Sequence, residues 1–259
     1  MIVRLVLPLA LALTLHAETR KVVVISHRGE HLHNPENTMP AYRAAYEAGA
    51  DFIEVDVRTT SDGKLVIMHN DTVNARTDGA GAVKDMTFEQ IRALDAGIKS
   101  GPRFAGTKVP TFDEVLDFAR GKIGVYVDTK RASAADIVAA LERHEMQDHV
   151  VVYGGFDFLK QLAALRPKIK AMPESVSVAV VKKLIDELKP KVIAFGASDF
   201  TDEIIAIARG AGAEIYVDRL GEADRPEVWQ DAVDRGANGI QSDRPAELVQ
   251  YLRSKGYRQ

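Results

Sequence analysis

The sequence contains no cysteine among its 259 residues. That absence removes disulfides, thiolate nucleophiles, sulfur-ligated zinc and iron–sulfur clusters together. Stability must come from packing, and any metal must be held by oxygen or imidazole. Charge of one sign is also not in excess: 34 Lys and Arg stand against 37 Asp and Glu, a formal net charge of -3. No nucleic-acid partner is expected, because displacing counterions from a phosphate backbone needs clustered basic residues. Beyond the first residues no hydrophobic segment is long enough to span a bilayer, and no cysteine is available to carry a lipid. No stable membrane anchor is expected, and the oligomeric state is not legible. What is present is 46% hydrophobic residues, enough for one sizeable core and unlike a disordered or fibrous chain.

The N-terminus departs from this composition. Met1-Ile2-Val3-Arg4 carries one positive charge, and Leu5 to Leu15 is an apolar run of 11 residues, too short to cross a membrane. Ala17 follows as a small residue suited to cleavage, and Glu18-Thr19-Arg20-Lys21 breaks the run. Residues 1–17 are expected to be a secretory signal and 18–259 a single domain, exported to the periplasm or the extracellular space.

From residue 22 short runs rich in Val and Ile alternate with segments of helical period, the pattern of strand–helix units around a parallel sheet. The expected strands are Val22–Ser26, Phe52–Val57, Leu65–His69, Ile123–Thr129, Val150–Tyr153, Ile169–Met172, Val192–Phe195, Ile215–Asp218 and Gly239–Ser242. Helices are expected at Thr38–Ala48, Ala134–His144, Val178–Leu188 and Pro226–Arg235, among others. The size and alternation point to an α/β fold, a TIM-type (β/α)8 barrel. Nine strands compete for eight places, and the link from Val57 to Leu65 is too short for a parallel crossover. Those two strands should form a hairpin turned by Asp62-Gly63, a type I′ dipeptide. Pairing would then follow i + j = 125, with Asp56 opposite His69. Residues 70–110, Gly-rich with one short helix at Thr87–Leu94 and no strand, should form a loop-rich insertion at the barrel rim after the third strand.

Polar residues that interrupt the strand pattern gather at strand ends, where barrels of this kind place chemistry. His27-Arg28-Gly29 follows the first strand. Glu54 and Asp56, two apart at the end of the second, point to one face, and their mutual repulsion is most simply relieved by a hard divalent cation such as Mg²⁺ or Ca²⁺. Asp128 and Lys130 end the fourth strand with the same alternation, and His69 closes the hairpin strand.

These residues belong to an ordered set that resembles the glycerophosphodiester phosphodiesterase family. The matching pieces are Ser26-His27-Arg28-Gly29, Pro35-Glu36-Asn37-Thr38, Glu54-Val55-Asp56-Val57, Thr60-Ser61-Asp62-Gly63 and His69-Asn70-Asp71. They continue with Arg76 to Gly81, Pro110 to Leu116, Asp128-Thr129-Lys130 and Gly239 to Pro245, so that the likeness spans residues 22–251. The resemblance implies a metal-dependent barrel hydrolase that releases glycerol 3-phosphate and an alcohol, such as choline or ethanolamine, from small glycerophosphodiesters. It implies His27 and His69 as general acid and base in an order left open, one divalent cation held by Glu54, Asp56 and Asp128, and phosphate binding by Arg28 and Lys130. In the family a neighbouring glycerol hydroxyl attacks, and water opens the resulting cyclic phosphate. Asn37 is expected to cap the helix that begins at Thr38, and Glu36 to orient Arg28.

Three positions depart from the family pattern. Asp128 stands where Glu is frequent, Ile215–Asp218 replaces an eighth-strand segment that commonly carries Trp, and Asn70 separates His69 from Asp71. With that Trp missing, an aromatic wall would have to come from Tyr216 or the insertion, and the part played by Asp218 is open. Two alternatives keep part of the reading: a lysophospholipid or cyclic phosphodiesterase, and a phosphodiester-binding barrel without catalysis. The first asks for an apolar rim, which the Gly-rich, polar stretch from Ala75 to Phe104 does not advertise.

Overall fold

The computed structural model describes residues 21–258; the expected signal segment, 1–17, lies outside the described residues. Nine strands appear among those residues: β1 Val23–Ser26, β2 Phe52–Thr59, β3 Leu65–Ile67, β4 Gly124–Arg131, β5 Val150–Tyr153, β6 Lys170–Met172, β7 Val192–Phe195, β8 Glu214–Arg219 and β9 Gly239–Ser242. The α-helices are α1 Met39–Glu47, α2 Phe88–Ala93, α3 Phe112–Ala119, α4 Ala134–Arg143, α5 Phe156–Leu165, α6 Val178–Leu188, α7 Asp202–Gly210, α8 Pro226–Asp234 and α9 Pro245–Ser254. Eight strands run parallel in the order β6-β5-β4-β2-β1-β9-β8-β7. The ring closes between β6 and β7 through a bridge pairing Glu174 with Ala194: the Ala194 amide donates to the Pro173 carbonyl, and the Ser175 amide to the Ala194 carbonyl. This is the expected TIM-type barrel. Because β3 stands outside the ring, β4 and β8 are its third and seventh staves, not the fourth and eighth.

Alternation along the strands builds two cores. Ile25, Tyr126, Val151, Met172, Val192, Ala194 and Tyr216 fill the barrel interior, while residues such as Val24, Ile53, Val55 and Val125 face outward against the helices. Since side chains alternate, interior positions lead upward at the carboxyl ends to Glu54, Asp56, Asp128 and Asp218. The insertion has its own small core, in which Val66, Met68, Val73, Val83, Ile91 and Val109 pack together. Its helix α2 opens with a Thr87–Gln90 capping box.

Two local expectations are corrected. The hairpin pairs Val57 with Ile67, Arg58 with Val66 and Thr59 with Leu65, so i + j = 124 and Asp56 faces Met68, whose amide donates to the Asp56 carbonyl at 2.9 Å. The turn is a type I turn closed by the Gly63 amide on the Thr60 carbonyl, followed by Gly63 alone at positive φ (81°), a bulge only Gly takes without strain. Tertiary contacts decide this: the Ser61 amide donates to the Met86 carbonyl, and the Asp62 carboxylate accepts from the Phe88 amide. Asn37 does not cap α1. Thr38 occupies the cap position without a side-chain bond and Pro40 opens the helix, leaving the Asn37 amide free for the site.

Candidate active site

The site begins where β1 ends. Arg28 (φ 53°) and Gly29 (φ 80°) take left-handed conformations in succession and turn the chain sharply. A Cβ at position 29 would lie 2.8 Å from Ala41, so Gly is required there on steric as well as torsional grounds. The turn aims the Arg28 amide at the Glu54 carboxylate, 2.7 Å away. The Arg28 guanidinium meets both oxygens of Glu36 at 3.3 Å, and Arg76 meets Glu36 from its other side at 2.9 Å. Glu36 therefore lies between the two guanidinium groups, in contact with both.

Glu54, Asp56 and Asp128 converge, with ligand oxygens all within 4.8 Å of one another. Asp56 and Asp128 are register partners on β2 and β4. Glu54 and Asp56 are 1% exposed. Asp56 Oδ2 accepts from Asn37 Nδ2 at 2.6 Å, and Asn37 Oδ1 accepts in turn from the Tyr42 hydroxyl at 2.9 Å. Asp56 Oδ1 makes no hydrogen bond although it is fully buried; the Lys130 ammonium stands 3.3 Å off and donates instead to Asp128 at 2.6 Å. Burial, then Asp56 and Asp128, push the Glu54 carboxyl well above its ordinary value against Arg28. Burial also raises Asp128, with Lys130 opposing. Against the cost of its own burial, Asp128 and Asp56 hold Lys130 protonated, above its usual value. An orphaned carboxylate oxygen and three mutually repelling acids fit one hard divalent cation.

His69 is brought to the same mouth by the hairpin, but its place is set by a residue the sequence reading did not assign. Arg58 on β2 donates through Nε to the Met68 carbonyl at 3.0 Å and through a terminal nitrogen to the His69 carbonyl at 2.6 Å. It also pairs with the largely exposed Asp71 at 2.5 Å. Burial lowers His69 below the usual imidazole value; Asp56 opposes this, and Arg28 and Lys130 add to it.

Asp243, on the turn after β9, is the functional residue that sequence reasoning missed. Its Oδ1 lies 2.7 Å from His27 Nδ1, and its Oδ2 accepts from the Gly221 amide at 2.9 Å. Against the upward push of burial, those two bonds hold Asp243 below the ordinary carboxylate value. Behind it, buried Asp224 accepts from Trp229 Nε1 (2.7 Å), the Ser242 hydroxyl (2.8 Å) and the Asp243 amide (2.7 Å), which fixes the turn. The available signal was position: Asp243 follows a strand end, as His27 does. An aspartate paired with imidazole Nδ1 sets tautomer and ring orientation. Asp243→Asn is expected to lower kcat by about 10²-fold or more with KM little changed, measured by steady-state kinetics.

Tyr216 does not line the mouth. It is 4% exposed inside the barrel, with its phenol directed to Glu214 at the start of β8. The aromatic at the mouth is Tyr153, which donates to Glu174 at 3.1 Å. Near Glu174 is Asp218, pushed up to about 7 by burial, Glu174 and Asp128 against the pull of Arg219. Glu174 and Asp218 thus stand at the β6 and β8 side of the mouth, across from the acids that pair with Arg28 and Lys130.

Among known proteins, the model of the glycerophosphoryl diester phosphodiesterase family matches residues 27–247. A glycerophosphodiester phosphodiesterase of Caldanaerobacter subterraneus subsp. tengcongensis is 30% identical over 250 residues, covering 91% of this chain and all of its own. The crystal structure of a glycerophosphodiester phosphodiesterase from Agrobacterium tumefaciens superposes with a TM-score of 0.80 at 30% identity, over 88% of this chain and 98% of that one. A likeness of fold extends to an Oleispira antarctica phosphodiesterase solved in complex with the product sn-glycerol-3-phosphate, with TM-score 0.81, 24% identity and coverage of 89% and 96%. On these matches, together with the barrel and its mouth, the chain belongs to the glycerophosphoryl diester phosphodiesterase family and is a phosphoric diester hydrolase.

Proposed function

We propose that the protein hydrolyses glycerophosphodiesters whose alcohol carries an ammonium, such as glycerophosphocholine or glycerophosphoethanolamine, releasing glycerol 3-phosphate by metal-dependent, two-histidine catalysis. The observation that carries this reading is the convergence of Glu54, Asp56 and Asp128 on one mouth with His27 and His69. Glu54, Asp56 and Asp128 would hold Mg²⁺ or Ca²⁺, whose charge there stabilises the phosphoryl oxygens as negative charge builds. Arg28 and Lys130 serve the same oxygens from the protein side.

His69, kept below the usual imidazole value by burial and by two cations, is neutral near pH 7 and takes the proton from the attacking glycerol hydroxyl. His27 works from the other side. With Nδ1 tied to Asp243 its Nε2 carries the proton for the departing alkoxide, and Asp243 stabilises the proton-loaded ring. The roles reverse when water opens the cyclic phosphate. Glu174, Asp218 and Tyr153 supply an acidic and aromatic wall that favours a cationic alcohol. Residues 1–17 direct export under the same proposal, to the periplasm or beyond. The test is glycerol 3-phosphate release from glycerophosphocholine by residues 18–259: release that chelator abolishes and Mg²⁺ or Ca²⁺ restores is expected. A folded protein that releases none with either metal removes the reading.

A further inference from the structure

His31 takes no part in the chemistry above, yet it is built into the site. It lies four residues after His27 in the turn that leads to α1, and its ring meets that of His27 edge-on with centroids 5.5 Å apart. His31 Nδ1 bonds the His27 carbonyl at 2.7 Å; facing a carbonyl it must donate, so Nε2 is the ring nitrogen left for another partner. Nε2 points at Asp243 Oδ1, 3.5 Å away. The same oxygen lies 2.7 Å from His27 Nδ1, and one donor atom from each of the three residues falls within a 4.8 Å set.

A ring N–H donated to a backbone carbonyl, which leaves the other nitrogen to face a metal, is the arrangement that orients histidines at metal centres. The Gly221 amide on Asp243 Oδ2 fixes the carboxylate in the same way. Two imidazoles and one carboxylate form a donor set of different character from the three carboxylates on the other side of His27. Imidazole suits Zn²⁺, Cu²⁺ and Ni²⁺, while an all-oxygen set suits Mg²⁺ and Ca²⁺. A tetrahedral site with bonds of about 2.0–2.1 Å has ligand–ligand edges of about 3.3 Å, so the 3.5 Å edge already fits and the 2.7 Å edge needs only a small withdrawal of the His27 ring.

We propose that His27, His31 and Asp243 form a second, inhibitory metal site that takes a transition-metal dication, Zn²⁺ foremost. Binding exchanges the proton on His27 Nδ1 for the metal, and the proton leaves to solvent. His27 then loses Asp243 as its partner, and the metal charge on Nδ1 opposes a proton on Nε2, so the ring cannot serve the departing alcohol. The inhibitory consequence rests on the role of His27 proposed above; binding itself does not.

The experiment titrates Zn²⁺ into the protein saturated with Mg²⁺ or Ca²⁺, following glycerol 3-phosphate release and, separately, heat of Zn²⁺ binding by calorimetry. His31→Ala and His31→Gln are expected to keep basal turnover and to raise the half-inhibiting Zn²⁺ concentration about 10- to 100-fold, with a matching loss of the calorimetric binding. Equal inhibition and equal Zn²⁺ affinity in wild type and both variants would overturn the proposal, since Zn²⁺ would then act by displacing the cation among the carboxylates. Because the calorimetry needs no turnover, a protein that binds Zn²⁺ through His31 but hydrolyses nothing would uphold the site and sink only the catalytic reading. Circular dichroism of both variants separates loss of the ligand from loss of the fold.

Discussion

His27→Ala lowers kcat for glycerophosphocholine by about 10²–10⁴-fold, but the loss shrinks to within about tenfold when the alcohol is replaced by p-nitrophenol. A phenolate of that kind departs without a proton, so a missing general acid costs little. His69→Ala loses a similar 10²–10⁴-fold on both substrates, because a base is needed whatever leaves. The pH profile carries the same assignment with a definite sign. A base works only when neutral, so turnover falls as pH drops through the His69 value. Burial and the neighbouring cations place that value below the ordinary 6.5, and the acid limb should lie there. Interchanged leaving-group effects would swap the two roles, and equal losses in all four measurements would separate neither.

A second large effect concerns stability. Adding Mg²⁺ or Ca²⁺ to chelator-treated protein should raise Tm, since a ligand at 100 times its Kd stabilises by about 2.7 kcal/mol, several degrees for a chain of this size. Glu54→Gln should abolish turnover and most of that shift, yet raise the Tm of the metal-free protein. Glu54 is buried beside Asp56 and Asp128, and its folded value is raised, so it contributes stability at low pH that is lost as pH rises through that value. The gain from Gln should therefore be larger at pH 8 than at pH 5. This is the trade between function and stability that strained sites show. A metal-free Glu54→Gln protein no more stable than wild type at pH 8 would mean that the three carboxylates are not in conflict.

Strands were legible because each is a short run of Val and Ile between turn residues, and all nine expected runs fall on β1–β9. The hairpin was legible too, but its register was not, because Asp62-Gly63 satisfies a two-residue turn rule while Met86 and Phe88, distant in sequence, hold Ser61 and Asp62 in another turn. At the site, Glu54, Asp56, Asp128, Lys130, His27 and His69 stood out as polar residues on strand ends. Asn37 was noticed for the wrong reason: a residue before a helix reads as a cap, whereas this one donates to Asp56. Asp243, Arg58 and His31 were hidden because their work lies in partners that local pattern cannot reveal. Tyr216 shows the converse, since an aromatic in the right strand faced the barrel interior and left the mouth to Tyr153.

The pairing of β1 with β9 joins the two ends of the domain, and His27 reaches Asp243 across 216 positions of chain. His27 is among the earliest site residues to leave the ribosome, and its orienting carboxylate is among the last. Closing so long a loop costs only slightly more entropy than closing one half its length. On the role proposed for His27, a chain that ends before β9 carries the three acids and both histidines but lacks Asp243, the carboxylate that holds His27 Nδ1.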